Sequence, residues 1–209
     1  MKKSVYLAAA AFMLFFVATP KQAAAQKYQG QAVVTGGAGY SLTGIVFGLI
    51  SDGLNQVGSV HSTKTPVIIG GADYGISDRF SLGAVYTYQG LSTSYSGYIN
   101  ANGDTIHGTY KDRLTRQSIG LRPLFHFGDN DDLDIYAGAR FSYVFWNYSS
   151  TRTDVNRTDL FKGFGSPIKF QALFGVRYFF TQNIGFGMEF AAGATYFLSA
   201  GITARFGGQ

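Results

Sequence analysis

The sequence predicts an all-β protein: an eight-stranded antiparallel up-and-down transmembrane β-barrel preceded by a cleavable leader. Three observations carry that expectation. The first residues are basic and then apolar, eight later segments alternate in polarity residue by residue, and one of the two faces so defined is apolar while the other gathers Gly, Ser and charge. Only 14% of the residues are charged, against 28 Gly, 19 Phe and 14 Tyr, which is unlike the composition of an ordinary soluble enzyme.

The leader comes first. Lys2 and Lys3 precede an apolar run from Val5 to Val17, and Ala23, Ala24 and Ala25 follow. This is the layout of a secretory signal peptide, residues 1–25, with the cut after Ala25 and a barrel domain over 26–209. The apolar run falls well short of the ~20 residues a membrane-crossing helix requires. Loss of Lys2, Lys3 and Lys21 with the leader leaves 14 basic and 12 acidic residues, so the basic balance of the whole chain carries no nucleic-acid footprint. There is no cysteine, hence no disulfide framework and no thiolate metal site.

Strands are expected at about 29–42, 65–76, 79–92, 112–127, 133–148, 167–180, 184–192 and 196–206. In the third, Phe80, Leu82, Ala84, Tyr86 and Tyr88 oppose Ser81, Gly83, Val85, Thr87 and Gln89. The fourth sets Ile119, Leu121, Pro123 and Phe125 against Ser118, Gly120, Arg122, Leu124 and His126. In the fifth, Ile135, Ala137, Ala139, Phe141, Tyr143 and Phe145 oppose Asp134, Tyr136, Gly138, Arg140, Ser142 and Val144. The sixth, seventh and eighth repeat the pattern with Phe170, Phe174 and Val176, with Phe186, Met188 and Phe190, and with Leu198, Ile202 and Phe206. The first two are less regular, although Val34, Ala38 and Tyr40, and Ile68, Ala72 and Tyr74, continue an uncharged register.

Asp73, Arg116, Arg122, Asp134, Arg140, Lys169, Arg177, Glu189 and Arg205 all fall on the other register. A charge facing lipid at the bilayer midplane costs about 2–4 kcal/mol for Arg or Lys, so a charge-free face is what a hydrocarbon exterior selects. A soluble sandwich or lipocalin-like barrel would need the Gly-, Ser- and charge-bearing face as its surface and the aromatic face as its core.

The connections alternate in length. Ser77-Asp78, Gly128 to Asp132 and Thr181 to Asn183 are tight, whereas 43–64, 93–111 and 149–166 are long, and the last, Gly193 to Thr195, must be short. Short periplasmic turns and longer external loops are the habit of outer-membrane barrels, which places the chain integrally in the outer membrane with its long loops extracellular. The apolar stretch Leu42 to Leu54 falls in a loop and is expected either to extend the first strand or, preferably, to fold as a short helix over the barrel mouth. Pro66 and Pro123 should mark bulges or strand ends, since each removes a ladder donor.

The final strand, Ser199-Ala200-Gly201-Ile202-Thr203-Ala204-Arg205-Phe206, and the hairpin Asp73-Tyr74-Gly75-Ile76-Ser77-Asp78-Arg79-Phe80-Ser81-Leu82-Gly83 resemble those of the small eight-stranded outer-membrane β-barrels of the OmpA and OmpX-like class. That resemblance spans the mature chain. It implies that Ser199, Gly201, Ala204 and Phe206 form a terminal assembly signal read by the barrel-insertion machinery. Here Gly207, Gly208 and Gln209 follow Phe206, where the family usually ends on the aromatic residue.

A barrel of eight strands is only wide enough for side chains to fill it. Glu189, Arg122, Arg140, Arg177, Asp73 and Arg205 are therefore expected to form a lumen charge network. Glu189 should pair with Arg177 on the adjacent strand or with Arg122 or Arg140 across the lumen, because an unpaired buried charge costs several kcal/mol. Asp129, Asp131, Asp132 and Asp134 are read as keeping a turn solvated. His61, His107 and His126 combine with no Ser and carboxylate in a recognisable local motif, so no catalytic, cofactor or metal site is expected.

The expected function is that of a non-enzymatic integral barrel whose loops serve envelope integrity or adhesion. The alternatives are a narrow porin-like channel for water, ions or small solutes and, more remotely, a lipid A-modifying enzyme. Its expected partners are outer-membrane lipid and lipopolysaccharide, the insertion machinery and an unknown surface ligand, with no nucleic acid, for a monomeric chain without cofactor.

Overall fold

The structure is a computed structural model that describes residues 28–43, 60–99, 105–128, 130–151, 166–193 and 195–207. The described residues contain β1 (Ala32–Tyr40), β2 (Val60–Lys64), β3 (Val67–Ser77), β4 (Phe80–Ile99), β5 (Thr105–His126), β6 (Leu133–Ser150), β7 (Ile168–Phe179), β8 (Ile184–Gly193) and β9 (Leu198–Phe206). Every pairing is antiparallel, and β4, β5, β6, β7, β8, β9, β1 and β3 follow one another around a ring that closes from β3 back to β4. Closure satisfies the backbone of every barrel strand on both edges, the condition for a sheet to stand in lipid.

β2 and β3 are two halves of one stave. Both pair with β4, with Lys64 opposite Leu91 and Ile68 opposite Tyr88, so the register slips by one residue across Thr65 and Pro66. Pro66 has no N–H to give the ladder. Thr65 covers the break: its N–H donates to the Gly90 carbonyl (2.9 Å) and its Oγ1 accepts from the Gly90 N–H (2.9 Å). Pro123 leaves a similar mark, because the β5–β6 ladder has no partners between Leu121–Phe141 and Leu124–Gly138.

The two registers separate as the alternation requires. Ile68, Leu121, Phe141, Phe170, Phe190 and Ile202 point outward and are about half exposed, while Asp73, Arg122, Arg140, Arg177 and Glu189 point inward and are buried. The interior holds more apolar filling than the sequence suggests, with Val33, Ile69, Val85, Leu124 and Leu173 packed among the charges.

The expected 93–111 loop is mostly strand: β4 runs on to Ile99 and β5 starts at Thr105. Beyond Tyr88, β4 continues for a length on the order of 35 Å at ~3.3 Å per residue. With β2, β5 and the end of β6 it forms a polar sheet that projects past the apolar belt. Arg113, on the same register as Ile119 and Leu121, departs from the charge-free face expected over 112–127: it faces outward, donates to the Tyr88 hydroxyl (3.2 Å) and marks where the hydrocarbon-compatible face has ended. The expected helix over 42–54 is present only as Leu42 and Thr43 among the described residues, and its remainder, like residues 1–27 of the leader region, lies outside them.

At the short-turn end, the segment before β1 crosses the barrel mouth. The Gly30 N–H donates to the Gly75 carbonyl (2.9 Å) and the Gly75 N–H to that of Gln31 (2.8 Å). The Tyr28 carbonyl lies where a Cβ on Gly75 would stand, so only glycine lets the segment seat, and it sends the Tyr28 ring into the lumen.

Leu121→Arg is expected to lower stability in lipid vesicles by about 2–4 kcal/mol, whereas Arg113→Ala, above the apolar belt, should stay within about 0.5 kcal/mol of the parent. Urea unfolding followed by the fluorescence of Trp146, the single tryptophan, measures both.

Candidate functional site in the barrel lumen

The strand register decides which inward side chains can meet. Asp73 on β3 stands opposite Gly83 on β4, and Gly83 stands opposite Arg122 on β5. With no side chain at Gly83, the Asp73 carboxylate lies over it and meets Arg122 twice, Nε to Oδ1 (2.6 Å) and Nη2 to Oδ2 (2.7 Å). The same device recurs around the wall: Tyr136 on β6 stands opposite Gly175 on β7, which stands opposite Glu189 on β8, and the Tyr136 hydroxyl donates over the glycine to Glu189 Oε2 (3.0 Å). A Cβ at Gly83 would overlap the Asp73 carboxylate, and one at Gly175 the Tyr136 ring and hydroxyl.

Glu189 gathers four donors. Oε2 accepts from Tyr136 and from Arg122 Nη1 (3.2 Å), and Oε1 accepts from Arg140 Nη2 (2.5 Å) and the Tyr196 hydroxyl (2.5 Å). Arg140 is fully buried, lies over the Tyr196 ring at 4.5 Å, and also donates to Gln171 Oε1 (3.1 Å) and Thr195 Oγ1 (3.3 Å). Arg122 and Arg140 are thus two of the three partners expected for Glu189. The third is not a partner: Arg177 faces Gly187 rather than Glu189 across the β7–β8 ladder, and it joins Asp73 Oδ2 (2.5 Å) and Asp134 Oδ2 (3.2 Å) instead.

Two further expectations are corrected. Arg205 is not in the lumen network; it clasps the turns at the short-turn rim through the carbonyls of Gln182 and Asp131 (2.7 Å to the latter) and lies over the Phe179 ring at 4.1 Å. Asp134 does not solvate a turn. It is the first inward residue of β6 and is 2% exposed, while Asp131 and Asp132 beside it are exposed and Asp129 lies outside the described residues.

The plug therefore sets three carboxylates, Asp73, Asp134 and Glu189, against three guanidiniums, Arg122, Arg140 and Arg177. Nearer the long-loop end, Arg116 is held by the Thr195 carbonyl and Thr43 Oγ1 (2.9 Å for the latter). Among the described residues two small voids lie against the network, one of about 20 Å³ beside Thr35, Gly37, Arg122 and Glu189 and one of about 10 Å³ near Ser81 and His126, while a larger one of about 320 Å³ lies beside Ser41, Thr65 and Gln89. Each of the two small voids has room for roughly one water molecule.

Sequence reasoning missed a second cluster at the short-turn end. The Ser81 hydroxyl is 2.8 Å from His126 Nε2, and His126 Nδ1 is 2.7 Å from Asp134 Oδ1. Tyr28 stacks on His126 at 4.2 Å and donates to Asp134 Oδ1 (3.0 Å). Burial, reinforced by the neighbouring Asp134, pushes the Tyr28 phenol up, so it stays a donor. The available signal was that Ser81, His126 and Asp134 are the inward residues nearest two adjacent tight turns.

Of the expected assembly signal, Ser199 is buried in the lumen, Gly201 abuts the β1 backbone at Gly36 and Gly37, and Ala204 and Phe206 face outward near the short-turn rim. Among the described residues no group of three or more His, Cys, Asp or Glu side chains is arranged to hold a metal ion.

Fold and interior together define an integral transmembrane β-barrel of the eight-stranded outer-membrane type with a filled lumen. Among solved structures the chain is similar to the outer membrane protein OprG of Pseudomonas aeruginosa, at 11% identity and a TM-score of 0.52 over 87% of this chain and 98% of that one. It also matches the N-terminal β-barrel domain of Pseudomonas aeruginosa OprF (12% identity, TM-score 0.44, 85% and 98% covered) and Ail, the attachment invasion locus protein of Yersinia pestis (9%, 0.40, 85% and 99%). At such identities the likeness to OprG speaks for the fold. No protein-family profile and no curated protein matches the chain.

Glu189→Ala leaves Arg122 and Arg140 without their shared carboxylate and is expected to cost about 3–5 kcal/mol. Combining it with Arg140→Ala should cost less than the two single changes summed, because the pair acts as a unit. Urea titrations in vesicles, read from Trp146 fluorescence, give all three values.

Proposed function

We propose that the chain works in the bacterial outer membrane as a plugged, non-enzymatic barrel that carries its task on its outer end, in envelope integrity or in adhesion to a surface partner. The observation behind this reading is the contrast between the two ends of the molecule. The lumen is blocked by a charge-balanced network with water-sized voids, while β2, β4, β5 and β6 continue far beyond the apolar belt as a polar, Tyr- and Ser-bearing sheet.

In this reading the tight turns are periplasmic and the projecting sheet and long loops are extracellular. The barrel is monomeric, sits among outer-membrane lipid and lipopolysaccharide, is inserted through its Ser199–Phe206 signal, and belongs with the OmpA and OmpX-like barrels. A Ser96→Cys protein should react with a membrane-impermeant maleimide on intact cells, and Thr181→Cys should react only after the envelope is opened. The reverse pattern overturns the orientation.

One observation favours a second reading, a narrow path for water or ions. Among the described residues Glu189 is the carboxylate that bridges Arg122 and Arg140, so a shift of its carboxylate toward either guanidinium would widen the void of about 20 Å³ beside it. Planar-bilayer recordings separate the readings: the plugged barrel gives no conductance above protein-free membranes, and a gated one conducts, with altered openings in Glu189→Ala.

A further inference from the structure

Ser81 and His126 take no part in the reading above, and of the plug's carboxylates Asp134 alone also faces them among the described residues. Asp134 accepts from Arg177 and Tyr28 as well as facing His126 Nδ1, so it acts as an acceptor throughout. With Nδ1 facing this acceptor, a ring that carries its single proton there turns the Nε2 lone pair toward the Ser81 hydroxyl at 2.8 Å. A serine bonded to a neutral imidazole that is oriented by a buried carboxylate is the arrangement that activates an oxygen nucleophile.

Two neighbours bear on what such a serine could do. The void of about 10 Å³ in front of it is lined by Gln31, by Arg177 and by Asp73, to which Arg177 is paired, so the polar groups that would meet charge developing on an attacked carbonyl or phosphoryl oxygen are the Gln31 amide and a guanidinium already shared with Asp73 and Asp134. The Tyr28 ring covers the same void from the short-turn mouth. It is held there by one hydrogen bond to Asp134, by the stack on His126 and by the strap across Gly75. With Tyr28 seated there is space for a water molecule and nothing larger.

We propose that Ser81 is a capped nucleophile, activated by His126 and Asp134, that accepts an acyl group from a small activated ester when Tyr28 swings out of the short-turn mouth. Ser81 Oγ bonds to the ester carbonyl carbon as its proton passes to His126 Nε2. The ester C–O bond then breaks, the leaving alkoxide takes the proton from His126, and the products are a Ser81 ester and a free alcohol. No oxidant or second cofactor is involved.

The test uses the full barrel refolded in detergent, with folding checked by heat-modifiable migration. The probes are a biotinylated fluorophosphonate and p-nitrophenyl acetate, with the adduct located by peptide mass. Tyr28→Ala should be labelled on Ser81 at least about tenfold faster than the parent, and Tyr28→Ala/His126→Gln should be slower than Tyr28→Ala by about a hundredfold, the usual contribution of a general base. Tyr28→Ala/Ser81→Ala should take no label in that peptide. Tyr28→Val is a milder uncapping, used if the alanine variant does not fold. Folded Tyr28→Ala or Tyr28→Val protein that labels no faster than its Ser81→Ala counterpart overturns the proposal, and so does a label on another residue.

Discussion

Hydrocarbon on the outside of the wall is the constraint from which the remaining features follow. It keeps Ile68, Leu121, Phe170 and Ile202 outward and sends every charge of the membrane-spanning stretch inward. Eight strands leave no aqueous bore to dissolve those charges. In the plug three carboxylates meet three guanidiniums, each carboxylate shared between at least two donors, and nearer the long-loop end the Arg116 guanidinium is met by the Thr195 carbonyl and Thr43. Sharing matters more than number: removing one partner of a buried pair strands the other, so a network with shared partners constrains every member at once.

Glycine makes the sharing possible. A strand neighbour directly opposite in the ladder is easily reached, but an ion pair spanning two ladders must pass over whatever the middle strand presents. Gly83 between Asp73 and Arg122, and Gly175 between Glu189 and Tyr136, present nothing. The high glycine content thus has two sources in this fold: close backbone approach, as at Gly201 against β1, and clear passage for long polar side chains over the inner wall.

The faces of the strands were legible because a period of two in polarity is a local property that survives errors in strand ends. Where both faces are polar the signal vanishes, which is why residues 93–99 and 105–111 read as loop although they pair in the projecting sheet. The membership of Asp73, Arg122, Arg140, Arg177 and Glu189 in the lumen was legible for the same reason. Their partners were not, because partner choice depends on stagger between strands, and a stagger of two residues moves Arg177 from Glu189 to Asp73 and Asp134. Arg205 shows the limit of counting by register: the inward direction at a strand end leads to the rim, where turn carbonyls compete for the guanidinium. Asp134 shows the converse, since its place in an acidic turn concealed that the first inward position of β6 is already covered by Tyr28 and His126.

Asp134 also joins the two clusters that otherwise look separate. One oxygen serves the plug through Arg177, and the other serves His126 and Tyr28. Its carboxylate is therefore oriented from both sides. The plug keeps it pointing toward the short-turn mouth, and the Tyr28 strap keeps water from reaching the Arg177 side. The segment before β1 is consequently more than a lead-in to the first strand. By seating one aromatic ring over one histidine it completes the burial on which the ion pairs depend, in a barrel whose mouth would otherwise admit solvent to the lowest layer of its charges.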